Sequence, residues 1–253
     1  MTITFLGTGT SQGVPVIACG CEVCTSTDSH DKRLRSAILV ESENTTVVVD
    51  SGPDFRYQML RADVQKLDAI VYTHEHKDHV AGMDDIRAFN YKQQTSMKLY
   101  ADTRVQAALM REFPYVFAEH KYPGVPQVDI HTIGTDDFTV GDIQFTPIEV
   151  LHYRLPILGF RIKDFTYITD AKTISASEKE KIKGSKTLVL NALQKQEHIS
   201  HFTFEEAIAF AKEIGAERTY FTHISHRLGR HKDVSGELPA GIYLAYDGLK
   251  LEI

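Results

Sequence analysis

The segment YTHEHKDHVAG, residues 72–82, crowds three histidines and two acids into six consecutive positions, of which His74, His76, Asp78 and His79 are the candidate ligands. Neutral imidazole and carboxylate suit zinc, manganese and iron alike, so these donors predict a divalent cation without fixing which one. The cluster follows LDAIVYT, residues 67–73, an apolar run that reads as a buried strand. Residues two apart on an extended chain project to the same side, so His74, His76 and Asp78 are expected to converge where the strand stops, with His79 opening the next turn. Three further donors also stand at the ends of strand-like runs: His152 after IQFTPIEVL, Asp170 after FTYIT and His223 after RTYFT.

The elements that must carry these donors are legible as alternations and caps. TITFL at 2–6 reads as a strand entering the glycine-rich loop GTGTSQGVP, and SAILVES and TTVVVDS read as a β-hairpin joined by Glu-Asn. FRYQMLRADV and RVQAALMREF have helical spacing; KLYAD, FTVGDIQFTPIEV, GFRIKD, FTYITD, TLVLNAL and ERTYFTHIS continue the strand signal. Thr203 and Glu206 have capping-box spacing ahead of an amphipathic helix, and GIYLAYDGLKLEI contains an Asp-Gly turn. No linker, low-complexity tract or short repeat interrupts residues 1–253, which predicts one α/β domain, most simply two packed β-sheets with helices outside.

Composition excludes some classes. With 28 Lys and Arg against 34 Asp and Glu the formal net charge is −6, so the surface as a whole is not built for DNA or anionic membranes. No stretch approaches the roughly 20 apolar residues a membrane span needs. MTITFLGTG lacks the charged start and apolar middle of a signal peptide, and the expected location is cytoplasmic. The three cysteines, Cys19, Cys21 and Cys24, all fall within ACGCEVC. They are odd in number and too tightly spaced for a disulfide framework, and C-x-C-x-x-C suits three thiolates on one tetrahedral zinc.

THEHKDH with the downstream His152, Asp170 and His223 resembles the metallo-β-lactamase fold superfamily along essentially the whole chain. The resemblance implies an αββα sandwich with a two-metal site along one edge: His74, His76 and His152 on one ion, Asp78, His79 and His223 on the other, and Asp170 between them. Two divalent cations, zinc or manganese, are then expected in the active site; such a pair, about 3.5–4 Å apart, makes hydroxide from water and stabilises both attacking and departing oxygens. Asp50, in VVVDSGPDF, resembles a strand-end residue that orients ligands, with a plain turn role equally open. A ligand set free of sulfur is more similar to the hydrolases of phosphodiesters, lactones and thioesters than to the lactamases themselves.

Within that superfamily the chain most resembles the phosphoribosyl cyclic phosphodiesterase group. His201 occupies the place of a histidine ahead of a comparable helix, where it would protonate the leaving oxygen or hold the phosphoryl group; for neighbouring His198 a structural role is favoured. His226, three residues after His223, would complete a structural zinc site with the three cysteines, His30 being a weaker candidate. The implied function is a phosphodiesterase for a small phosphodiester substrate, cyclic ones included. Arg154, Arg161, Arg227 and Arg230 are near enough in sequence to contact a terminal phosphate, although a solvated surface role is favoured for any one of them. The resemblance also suggests a homodimer. The alternatives are a tRNA 3′-processing nuclease, disfavoured by the negative charge and the want of a basic arm, a protein like those of pyrroloquinoline quinone biosynthesis, which have a similar cysteine cluster, and a non-catalytic metal-binding module.

Overall fold

In the computed structural model, which describes residues 1–253, strands alternate between two faces and both faces find an apolar layer. In Thr46–Val49, Val47 and Val49 point into one core and Val48 into another; in Ala69–Val71, Ala69 and Val71 join the first and Ile70 the second. Period-two projection from a sheet covered on both sides gives this division.

The first sheet has seven strands, in the spatial order Lys250–Glu252, Thr2–Gly7, Ala37–Glu41, Thr46–Val49, Ala69–Val71, Met97–Ala101 and Val128–Thr132. Pairing is antiparallel as far as Thr46–Val49 and parallel beyond it. The second sheet runs Thr173–Ile174, Ile143–His152, Leu155–Ile162, Phe165–Tyr167, Thr187–Asn191, Arg218–Thr222 and Ile242–Leu244, with Phe138–Val140 added beside Ile143–His152. It too changes from antiparallel to parallel pairing part-way across.

Three apolar clusters of 22, 21 and 20 buried residues are near enough in size to show that each of the three interlayer spaces is a full core. One, with Phe5, Val49, Phe160 and Tyr167, lies between the sheets. Another packs the first sheet against the helices Phe55–Arg61, Arg87–Gln93 and Thr103–Glu112, and the third packs the second sheet against Ala176–Ile182 and Phe204–Ile214. The expected αββα sandwich is therefore the fold. The Thr203–Glu206 capping box forms as its spacing predicts. No helix is long and apolar enough to cross a membrane.

One local expectation fails. His74, His76 and Asp78 do not lie on one extended segment: the strand ends at Val71, His76 caps the short helix Lys77–Val80, and Asp78 and His79 are helical. The expected Asp247-Gly248 turn forms, and it carries the chain between sheets, Ile242–Leu244 belonging to the second and Lys250–Glu252 to the first. Buried Asp247 accepts from the Leu34 amide and the Thr8 hydroxyl and pairs with Arg61, which fixes the crossing.

Candidate metal centre

The donors gather where parallel strands deliver their C-terminal ends. Asp50 follows Val49, Asp170 lies three residues beyond Tyr167, and His223 follows Thr222; His152 is the last residue of its strand. Asp50 is fully buried and accepts three hydrogen bonds, from the Thr73 amide (2.8 Å), the Thr73 hydroxyl (2.8 Å) and His79 Nδ1 (2.7 Å). The Thr73 oxygen, its own proton given to Asp50, accepts from His74 Nδ1 at 2.9 Å. One carboxylate thereby fixes two tautomers: His74 and His79 both carry the proton on Nδ1 and turn Nε2 inward. His152 is fixed the same way, with Nδ1 bonded to the Ser200 carbonyl at 2.8 Å. Such outward bonds are what orient metal-ligating imidazoles. Asp50 is thus an orienting residue, not merely a turn former.

Three groups of ligand atoms each lie within 4.8 Å of one another: Asp78, His79 and His223; His74, His79 and Asp170; and His152, Asp170 and His201. The first matches an expected ion set. The expected trio of His74, His76 and His152 is brought together more loosely: His74 Nε2 is 3.1 Å from His76 Nδ1, and the His152 ring lies 5.1 Å from that of His76 and 5.9 Å from that of His74. Asp170 stands between the halves, 3.2 Å from His79 Nε2 and 3.0 Å from His223 Nε2. His201 comes closer than expected, its Nδ1 3.5 Å from Asp170, and its ring lies 4.9 Å from that of His223.

The charges show what is missing. Asp50, Asp78 and Asp170 pair with histidines and with no lysine or arginine. Burial alone would hold His79 neutral, but Asp78, Asp50 and Asp170 outweigh it and raise its pKa well above the ordinary range. Burial would likewise neutralise Asp170, yet His223 and His79 hold it well below the carboxylate range. His74, enclosed more than it is compensated, is pushed well down and stays neutral. The carboxylates thus draw positive charge to His79, among inward-facing imidazole nitrogens. The donor set fits divalent cations, whose charge would replace it.

The second cluster is closed. Cys19, Cys21 and Cys24 Sγ lie 3.3, 3.4 and 3.6 Å from His226 Nδ1, and all four donors form one group. A neighbouring amide and His226 bring the Cys21 thiol down to about 6, close to the thiolate a metal takes. His30 is not part of it; its ring packs on His231 and Tyr246. His198 lies beside the site, its ring 5.0 Å from that of His201, with Nδ1 facing the Ser200 amide and hydroxyl. Of the arginines, Arg161 is spent on the carbonyls of Lys163, Lys181 and Lys183 and Arg230 pairs with Glu22, whereas Arg154 and Arg227 are exposed.

Two contributors were invisible in the sequence. Thr10, in the glycine-rich loop, places Oγ1 3.3 Å from His223 Nε2. Asn191, fully buried, brackets the backbone of Ala171 with both amide atoms and so holds Asp170 in place. A lone threonine or asparagine carries no spacing signal.

Comparison with known proteins settles the family. Residues 45–224 match the model of the beta-lactamase superfamily domain. The chain belongs to the metallo-β-lactamase superfamily. It is similar to a crystal structure described as a new diphosphatase from the PhnP family, at 40% identity and a TM-score of 0.93 over 100% of this chain and 97% of that one. PqqB from Methylobacterium extorquens has the same fold, at 20% identity and a TM-score of 0.83 over 100% of both chains. An octanoyltransferase from Porphyromonas gingivalis is 39% identical over 99% of this chain, which spans only about half, 51%, of that protein's length. The superfamily binds divalent metals such as zinc and its members here include hydrolases, in keeping with both donor clusters.

Proposed function

We propose that this metallo-β-lactamase superfamily chain is a two-metal phosphodiesterase that hydrolyses a small phosphodiester, a cyclic ribose phosphate being the model substrate. The observation that carries the reading is the convergence of Asp78, Asp170 and the imidazoles of His74, His79, His152, His201 and His223 on one centre that lacks any lysine or arginine counter-charge, with His76 at its exposed rim. Cations bound there would acidify water and polarise the phosphoryl oxygens. In the reaction a water oxygen bonds to phosphorus, one P–O ester bond breaks, and the departing oxygen leaves with a proton.

His201 borders that departing oxygen. Burial pushes its imidazole down to about 3, so it meets the substrate neutral and holds the phosphoryl or leaving oxygen by an N–H hydrogen bond rather than as a ready-made acid. Asp50 and Ser200 keep the imidazoles of His74, His79 and His152 turned inward. Similarity to a diphosphatase agrees with this chemistry, since each phosphorus of a doubly substituted diphosphate has one negative charge and two bridging oxygens, as in a phosphodiester. The octanoyltransferase name belongs to a protein twice as long. No thiol lies in the His/Asp centre to accept an acyl group, all three cysteines being gathered on His226.

Purified protein loaded with zinc or manganese should hydrolyse bis(p-nitrophenyl) phosphate. His201→Ala should lower the rate about a hundredfold, the scale of losing one hydrogen-bond donor to developing charge, with metal content unchanged. No turnover in either metal would refute the reading, and RNA binding without turnover would point instead to a binding module.

A further inference from the structure

The hairpin that carries His152 has an unusual tip. Between paired His152 and Leu155 it turns in two residues, Tyr153 and Arg154. Tyr153 has φ +57°, and in two-residue hairpins that first left-handed position favours glycine. A bulky side chain there is a strained choice.

The fold draws little from that choice. The Tyr153 side chain is 47% exposed, and its neighbour is Arg154, whose guanidinium carbon lies 5.1 Å from the ring centroid. Arginines 35, 61, 87, 104, 111 and 230 pair with carboxylates, and Arg154 is not among them. A glycine would relieve the backbone, and the ring it removes belongs to no buried core cluster.

The tip adjoins the metal centre through His152. The His152 ring, one residue back, lies 4.5 Å from that of His201 and 5.1 Å from that of His76. The Leu158 amide donates to the Thr73 carbonyl and Arg104 to the Pro156 carbonyl, so the hairpin leans across the histidine loop of the other sheet. We infer that Tyr153 and Arg154 form the wall that binds one arm of the substrate, and that this arm carries a flat aromatic ring, as a nucleoside phosphate does. The ring stacks on the open face of Tyr153, and Arg154 supplies a delocalised cation at the edge of the stack. This specificity rests on the phosphodiesterase reading above.

Thymidine 5′-(p-nitrophenyl phosphate) and methyl p-nitrophenyl phosphate share the cleaved bond and differ in the second arm. In Tyr153→Gly the KM for the thymidine ester should rise about tenfold, the scale of one base stacked on an aromatic side chain, with kcat and the KM for the methyl ester unchanged. The melting temperature should not fall, and Tyr153→Phe should retain the wild-type KM, because stacking needs the ring and not the hydroxyl. An unchanged KM for the thymidine ester, or equal changes for both esters, overturns the inference. Should wild type cleave neither ester, the activity reading fails but the wall can still be judged by calorimetry on the metal-loaded protein: thymidine 5′-monophosphate binding weakened about tenfold in Tyr153→Gly upholds it, and equal affinities refute it.

Discussion

Asp50→Asn removes one oxygen acceptor and a charge from a side chain that touches no proposed cation, so its effect isolates the orienting role. In the native protein one Asp50 oxygen takes the Thr73 amide, and the other takes the Thr73 hydroxyl and His79 Nδ1. Asparagine can keep its carbonyl oxygen toward the second pair only by turning its NH₂ against the Thr73 amide, donor against donor. Loss of a charge-assisted bond at about 1.5–3 kcal/mol, with a buried amide left unsatisfied at about 1–3 kcal/mol, is partly offset by no longer burying a charge. A net loss of about 2–4 kcal/mol is expected, or roughly 5–10 °C in melting temperature for a chain of this size. Affinity for active-site metal should fall about 10–100-fold, as it does when an orienting partner is lost. Thermal unfolding of the metal-free protein and a calorimetric metal titration test the two parts separately. Ser51→Ala is the control: it removes a hydroxyl bonded to Tyr72 Oη at 2.7 Å, should cost about 1 kcal/mol, and should leave metal affinity alone. If Asp50→Asn binds metal as wild type does, the tautomer argument is wrong, whatever happens to stability.

Three other perturbations separate the clusters from each other and from the fold. Asp170→Asn should lower phosphodiester turnover at least about a hundredfold while zinc at the cysteine cluster, counted by mass spectrometry, stays at one per chain; loss of all metal would contradict two independent sites. Cys21→Ser should release that zinc and lower the melting temperature by more than about 5 °C, with the His/Asp centre still able to take up metal. Thr203→Ala breaks the capping box in which Thr203 Oγ1 accepts from the Glu206 amide and Glu206 accepts from the Thr203 amide; it should cost about 1 kcal/mol in a urea titration and leave turnover unaltered.

Chemistry was more legible in the sequence than placement. Histidines and aspartates at the ends of apolar runs mark themselves, because strands buried on both faces read as continuous β-branched segments and whatever follows them is polar for a reason. The αββα layering follows from the same runs. The helix Arg87–Gln93 with the turn Met83–Ile86 before it escaped, since Met83, Ile86 and Phe89 are its buried apolar residues and form too narrow a stripe to show through the charges around them. The short helix at Lys77–Val80 escaped for a different reason: it is a single turn with one buried apolar residue, Val80, and two candidate ligands, Asp78 and His79, and it closes through the His79 and Val80 amides onto the His76 carbonyl. His226 ranked above His30 only through the family resemblance, because residue chemistry treats two single histidines alike, and the structure places His226 with the cysteines. The fold shows why: the segment after strand Arg218–Thr222 runs His226 back onto the cysteine loop.

What aims the donors is backbone that no pattern predicts. Asp50, Asp170 and His223 have φ of +68°, +58° and +55°, and each stands at the C-terminal end of a strand in the parallel part of its sheet. A left-handed residue turns the chain sharply, so its side chain is directed back over the sheet edge instead of along the strand. Three such turns in two facing sheets bring three side chains to one place. Glycine would make each turn more easily but has no donor to offer, and a non-glycine residue there costs about 1–3 kcal/mol. The cost is offset by contacts from neighbouring and remote segments. Asp50 takes three hydrogen bonds, Asp170 accepts from the Thr169 hydroxyl at 2.6 Å and faces two histidines, and the residue after His223 exchanges backbone bonds with Thr8 and Thr10. The Asp170–His79 pair and the bonds of Ile224 to Thr8 and Thr10 form only once both sheets are assembled. The cysteine cluster then acts mechanically as well. Three thiols grip His226 and the Thr8–Thr10 loop pins Ile224, so the segment after His223 is held at two points, and the strained turn that aims His223 cannot relax.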